Sequence, residues 1–444
     1  MKGGFFMRPN ILYIHSHDTG RYIKPYGHDI PTPNLQNLAE EGVLFRQAFS
    51  TAPTCSPSRA SLLTGQYPHQ NGQLGLVNRG FELDDPDKHI VNTLGKEGYS
   101  SALIGMQHIR KDPETIGYDR ILQVDSNNSK DVTPKALEYI ENDIDSPFFL
   151  SVGYEETHRP FHEIEDKKEI KYTKPPVPIP DTYRTRKDMA AYKESARVLD
   201  NGIGKILLKL KEKDLYKNTI IIFTTDHGIA FPGMKCTLTD HGIGVSLIIR
   251  GPHGFEDGQV IDSMVSHLDI YPTICDLLDI SKPNWLVGHS LLPLLDGNKE
   301  KIRSQIFAEV NYHTAYEPMR TVRTERWKYI KRFRNRTKPF LSNTDESITK
   351  DVLIENDWDQ KFIYKEELYD LKLDPNERNN LANEDSKKDV LEKMRDELDK
   401  WMKDTDDPLR KGKVVKPKDA IVNKDDDQKA DDIWEYTEKR EGFH

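Results

Sequence analysis

Through the first two thirds of the chain, short runs of consecutive apolar residues take turns with stretches of helical periodicity. Ile11-Leu12-Tyr13-Ile14 has no polar alternation, the pattern of a strand buried on both faces, and it runs straight into His15-Ser16-His17-Asp18. Leu35, Leu38 and Ala39 share one helical face within 33–41, and Gly42 ends it. The same reading predicts helices over 91–98, 133–142, 189–213 and 269–278, and strands over 99–104, 148–152, 219–225 and 244–250. The proline-rich stretch 174–180 is expected to run extended over the surface. Such alternation from residue 10 to about 295 implies a doubly wound α/β fold with a mostly parallel sheet flanked by helices.

From about residue 319 the rhythm changes. Runs at 319–323 and 327–331 flank a short polar turn and predict an antiparallel hairpin, with a further strand at 367–370, a turn at 373–377 and an amphipathic helix over 387–402. The expected organisation is a larger α/β domain over 1–315 and a smaller C-terminal α+β domain, built on an antiparallel sheet, over 316–444. Beyond 404 the chain is charged and poor in apolar residues, with Ile433-Trp434 as a point where the tail could dock.

Composition narrows the class. A chain of 444 residues exceeds what one small core holds, in keeping with two domains. With 36% hydrophobic and 31% charged residues it is globular but polar, and no apolar run is long enough to span a bilayer. A net charge of -9 argues against nucleic acid as partner, because phosphate neutralisation needs a basic face. The opening M-K-G-G-F-F-M-R-P-N lacks the apolar core of a secretion signal, and Met7 is a candidate natural start. Cys55, Cys236 and Cys275 make neither a disulfide framework nor a zinc ribbon, so a cytoplasmic location is expected.

The chemistry gathers around Thr54 to Gln66, T-C-S-P-S-R-A-S-L-L-T-G-Q. Ala60-Ser61-Leu62-Leu63 reads as helix, which places Cys55 near a helix N-terminus, where the dipole and free N–H groups favour an anionic substrate and a reactive side chain. A structural cysteine capping a helix is the plain alternative. Other strand and loop ends carry polar groups to the same rim: Asp18 after the first strand, His108 after 99–104, His158 after 148–152, and Asp226 with His227 after 219–225. Carboxylates grouped in this way recruit a divalent cation, which polarises an anionic ester and acidifies a bound hydroxyl.

The string C-S-P-S-R-A-S-L-L-T-G resembles the signature of the type I sulfatases of the alkaline-phosphatase superfamily. The resemblance runs from residue 10 to about 407. Its further carriers are S-P-F-F-L-S-V-G-Y-E-E-T-H-R-P, N-T-I-I-I-F-T-T-D-H-G-I-A-F-P-G and E-L-Y-D-L-K-L-D-P-N-E-R-N-N-L-A, which are similar in detail to the heparan N-sulfatases. It implies that a separate maturation enzyme oxidises Cys55 to formylglycine, whose hydrate attacks sulfur through one hydroxyl and expels sulfate through the other. It also implies that Arg59 holds the formylglycine, that Asp18, Asp226 and Cys55 face one metal ion, and that His108 and His158 contact the sulfate and protonate the leaving group. Lys235 falls at the position of a sulfate-binding cation.

The departures from the family pattern are His17 in place of the first aspartate, His227 in place of an asparagine, and Met106 in place of a lysine. Two imidazoles soften the metal site, so calcium is the leading expectation with manganese or zinc as alternatives. Arg21 or His241 could take over for the missing lysine. His69, Asn71, Glu309, His313 and Arg320 are candidate sugar contacts, with a surface salt bridge as the alternative for Arg320. The expected activity is removal of sulfate from a sulfated saccharide, with N-sulfoglucosamine as the specific substrate. An O-sulfatase, a phosphonate or phosphodiester hydrolase on the same fold, and an unmodified glycan-binding protein stand as alternatives.

Overall fold

Asn10–Ser16 is buried at every position, as its unbroken apolar run requires, and forms β1 in the middle of the larger sheet. The computed structural model describes residues 8–433, so the candidate start Met7 and the docking residue Trp434 lie outside the described residues. The further strands of this sheet are β2 (Val43–Phe49), β3 (Ser100–Gly105), β4 (Arg120–Leu122), β5 (Phe148–Gly153), β6 (Thr219–Thr225), β7 (Gly244–Val245), β8 (Leu247–Arg250) and β9 (Gln259–Ser266). They lie in the order β4-β3-β5-β1-β6-β8-β2-β7, with β9 on β2. The pairings among β4, β3, β5, β1 and β6 are all parallel, so their C-terminal ends share one edge.

The period-two geometry of these strands divides the core into two layers. Ile11, Tyr13, Ile220 and Ile222 pack on one face beneath the helices Cys55–Thr64, Ile90–Lys96 and Ile270–Leu277. Leu12, Ile14, Ile221 and Phe223 pack on the other beneath Pro33–Glu41, Ser129–Asn142 and the long helix Tyr183–Glu212. The doubly wound expectation therefore holds, with an antiparallel insertion at one side: β8 runs antiparallel to β6 and β2.

Several boundaries differ from the sequence reading. The expected strand 244–250 is broken at Ser246, which donates its N–H to the Gly20 carbonyl instead of continuing the ladder. The sequence analysis had no strand at β2, whose Arg46 and Gln47 interrupt the apolar pattern. The second sheet is antiparallel, in the order β10 (Ile306–Tyr312), β11 (Tyr316–Arg323), β12 (Trp327–Arg332) and β13 (Glu366–Asp370). It begins at Ile306, ahead of the boundary expected between 315 and 316, because β10 pairs with β11 and not with the larger sheet.

One face of the second sheet takes the amphipathic helix Lys388–Asp404 through Leu391, Met394, Leu398 and Trp401. The other presses Val310, Met319 and Ile330 against Phe49, Leu238 and Met264 of the larger domain. The tail is not loose over its described length. Val414 and Ala420 bury against Phe81, Tyr312 and Tyr316, and Asn423 bridges to Ala315.

Candidate active site

The helix Cys55–Thr64 begins at the cysteine itself, earlier than the sequence suggested, and ends where Gly65 adopts a left-handed conformation at φ 70°. All of its residues are buried, so it is a core element that points its N-terminus at the C-terminal ends of β1 and β6. Cys55 Sγ lies 3.3 Å from His227 Nε2, and His227 Nε2 lies 3.2 Å from Asp18 Oδ1. His17 Nε2 stands 3.3 Å from Asp226 Oδ2. Ligand atoms of His17, Asp18, Cys55, Asp226 and His227 all fall within 4.8 Å of one another. Asp18 reaches this position from a left-handed backbone at φ 56°, and His108 does so at φ 57°, conformations that cost energy for residues with a Cβ and recur at functional sites.

This cluster fits a cation. Asp18 Oδ1 and both ring nitrogens of His17 are buried without a hydrogen bond, although such groups pay a large desolvation penalty when unpaired. Two carboxylates, two imidazoles and a thiol packed together in a dry site are what a divalent ion would satisfy. Glu155 and His158 form a second grouping around His17, on the outer side.

Fixed positive charge surrounds the acids. Arg59 donates to Asp226 Oδ2 at 2.9 Å, to the Ser16 carbonyl at 3.0 Å and to His15 Nδ1 at 2.5 Å. Accepting at Nδ1 requires a neutral imidazole, and burial with the Arg59 charge pushes His15 well down. Burial alone would raise Asp226, but Arg59 and His227 outweigh it and hold the carboxyl below its usual range. Burial pushes the Cys55 thiol well up, with Lys235 opposing, so the unmodified thiol stays protonated and is a poor nucleophile. Burial also lowers His17, and it lowers His108 to about 3.

A second set of charged contacts is built around Lys235. Its ammonium donates to Asp18 Oδ2 at 2.9 Å, faces His158 Nε2 at 3.3 Å, and pairs with Asp345 Oδ2 at 3.0 Å. Burial would lower Lys235, but Asp18 and Asp345 outweigh it and keep the amine charged. His158 stacks on His17 with ring centroids 4.4 Å apart. His108 lines a cleft of about 680 Å³ together with Arg79, Met106, Lys111, Asn127 and Asp419.

The structure thus brings Asp18, Cys55, Arg59, His17, His108, His158, Asp226, His227 and Lys235 together. Among the expected sugar contacts, His313 joins them: it is buried, its Nδ1 has no partner, and burial and Lys235 lower its pKa. The others are placed differently. Arg320 is fully buried and doubly hydrogen-bonded to Asp407, with further bonds to Asn311 and the Val310 carbonyl, so it is neither a surface salt bridge nor a sugar contact. Glu309 is buried beside it and pairs with His69. Asn71 spends its amide on Thr64 and the Gln66 carbonyl. Arg320, Glu309 and His69 meet partners at the domain junction, and Asn71 braces the turn after the helix Cys55–Thr64.

Arg21 and His241 do not replace the missing lysine either. Arg21 donates to the Ala48 carbonyl and lies over Phe49, and His241 faces Tyr22. Asp345, Glu155 and His15 also reach the site, although none was expected there from the sequence. Asp345 belongs to a polar loop with no motif around it, so only its distance to Lys235 marks it.

A family model described as Sulfatase matches residues 9–280, and one described as N-sulphoglucosamine sulphohydrolase, C-terminal, matches 234–351. The chain is 31% identical to N-sulphoglucosamine sulphohydrolase of Homo sapiens over 90% of this chain and 91% of that protein. It is 28% identical to an ulvan-active sulfatase of Formosa agariphila, over 89% of this chain and 75% of that one. A solved structure in complex with its substrate D-glucosamine-2-N,6-O-disulfate superimposes with a TM-score of 0.71 at 19% identity, over 90% of this chain and 98% of that chain. A 2-O glycosaminoglycan sulfatase also gives 0.71, at 22% identity over 92% and 95%. The fold is theirs, an alkaline-phosphatase-like sheet with a smaller antiparallel one.

Proposed function

The chain belongs to the sulfatase family and is a sulfatase, and from that premise we propose that it removes sulfate from N-sulfoglucosamine in heparan- or heparin-derived saccharides. The observation that carries the reading is the pairing of His158 Nε2 with Lys235 Nζ at 3.3 Å beside the buried Cys55–Asp18–Asp226 cluster. A sulfamate has an amine leaving group, which departs only when it is protonated, so a proton donor must stand beside the bridging nitrogen. His158, half-buried at the mouth of the cluster, accepts at Nε2 from the Lys235 ammonium and donates from Nδ1 to the Arg159 carbonyl, so it is the group in place to relay the Lys235 proton. The match of the C-terminal family model across Lys235, His313 and Asp345 supports the same substrate.

In this reading Cys55 is converted to formylglycine by a maturation enzyme, and Asp18, Asp226, His227 and His17 would hold one divalent cation beside it, calcium by preference. Such an ion would acidify a hydroxyl of the hydrated aldehyde for attack on sulfur. Arg59 pairs with Asp226 and places its positive charge near residue 55. Lys235, with the neutral His108, receives the sulfate oxygens, where charge builds as the bond to the leaving group breaks. The Lys235 ammonium gives a proton to His158 Nε2, which passes it to the bridging nitrogen, and the amine leaves.

The test is turnover of matured protein on N-sulfoglucosamine, glucosamine O-sulfates and nitrophenyl sulfate, with and without His158→Ala. The variant should lose roughly 100-fold or more on N-sulfoglucosamine and much less on nitrophenyl sulfate, whose leaving group needs no proton. Proportional losses would reduce His158 to a sulfate ligand. Wild-type turnover confined to O-sulfates would move the assignment to a glycan O-sulfatase.

A further inference from the structure

The smaller domain sends a carboxylate into a site built for an anion. Asp345 Oδ2 lies 3.0 Å from Lys235 Nζ, which also pairs with Asp18 at 2.9 Å. Burial would raise this carboxyl, but Lys235, His158 and His313 outweigh it and hold it below its usual range, so it is ionised. A fixed negative charge beside bound sulfate opposes binding, and this cost must be offset by something that the carboxylate recognises.

Asp345 is also held firmly. Asn343 Oδ1 accepts from the N–H groups of Thr314 and Ala315, next to His313. The buried Lys350 ammonium donates to the carbonyls of Leu341, Thr344 and Gln428, clamping the loop on both sides of Asp345. Thr349 then anchors the following helix to Asp188 of the larger domain at 2.5 Å. A recognition group preorganised in this way loses little entropy on binding.

We propose that Asp345 is a specificity-determining residue that reads the atom bridging sulfur to the sugar, selecting a sulfamate over a sulfate ester. This rests on the N-sulfoglucosamine reading and deepens it. The bridging nitrogen of a sulfamate carries a hydrogen and donates to the carboxylate. The bridging oxygen of an ester offers only lone pairs and is repelled. Lys235 and His158 flank the same point, so the bridging atom lies within reach of all three side chains. When the S–N bond breaks, its electron pair stays on nitrogen, which takes the proton from His158, and Asp345 accepts a hydrogen bond from that nitrogen before and after.

The test compares Asp345→Asn, which keeps the shape, and Asp345→Ala on N-sulfoglucosamine and on nitrophenyl sulfate, using matured protein and following thermal unfolding of each. The expected result is a fall of about 10- to 100-fold in kcat/KM on N-sulfoglucosamine against less than about threefold on the aryl sulfate, with unfolding midpoints near the wild type. Equal falls on both substrates in folded variants would overturn the proposal and leave Asp345 as a partner of Lys235 alone. Wild-type inactivity on every N-sulfated sugar would overturn it together with the reading on which it rests.

Discussion

At the scale of single residues, the site is a balance of buried charges in which each acid has a defined cation. Asp226 shows this most directly: its Oδ2 accepts from Arg59, its Oδ1 accepts the N–H of Asp18, and His17 stands 3.3 Å away. Asp226→Asn keeps the shape but removes the charge, so it should lower metal content measured by elemental analysis, and kcat should fall roughly 100-fold or more. Full metal occupancy in that variant would place the ion elsewhere. Asp18, Cys55, Asp226 and His158 were visible in the sequence because each follows a strand or opens a helix. Asp345 was not, since its partner Lys235 lies far away along the chain and only folding brings them within 3.0 Å.

At the scale of elements, strand ends set the precision of the site. β5 ends at Gly153, whose carbonyl accepts the N–H of Met106. A Cβ there would lie 2.1 Å from the Met106 carbonyl oxygen and 2.4 Å from the His15 ring. Neither the backbone nor a ring locked against Arg59 can yield cheaply. Gly153→Ala should therefore cost about 1–3 kcal/mol in denaturant unfolding and should also reduce turnover, because moving His15 releases Arg59. Loss of stability with unchanged turnover would separate His15 from the site. The long helices and central strands followed their apolar periodicity closely, whereas β2 escaped it. Its exposed Arg46 sits near the sheet margin, where pairing with β7, β8 and β9 supplies what the pattern lacks.

At the scale of the whole molecule, two buried ionic networks join the domains. In the first, Arg320 binds Asp407 doubly and stands beside the Glu309–His69 pair. Arg320→Met strands two buried carboxylates, and we expect about 3–5 kcal/mol of destabilisation in equilibrium unfolding. In the second, Glu377 and Lys328 of the smaller domain meet Asp240 of the larger. Burial pushes Glu377 up to about 7, with Lys328 opposing. A raised carboxyl contributes stability that is full below the unfolded value of about 4.3 and is lost as pH rises toward the folded value. Stability should therefore decline between about pH 4.3 and 7 and level off above. Glu377→Gln should flatten that decline, gaining on the wild type by on the order of 2 kcal/mol between pH 5 and 8. Parallel pH profiles for the two proteins would remove Glu377 from this role.

Local pattern alone determined the α/β class and the change to an antiparallel region, and the resemblance carried by the Cys55 string pointed to the site. Apolar periodicity dictates which faces must be buried, and polar residues directly after such runs fall at the strand ends where sites of this fold gather. Tertiary structure decided what depends on distance between remote segments. It turned Arg320, Glu309 and His69 from candidate sugar contacts into a sealed junction, since their charges find partners only across domains. It bound the charged tail to the body through Val414, Ala420 and Asn423, whose few apolar contacts are too sparse to read in sequence. It also set Asp345 against Lys235, because only the fold brings a carboxylate and an ammonium from such remote segments to 3.0 Å.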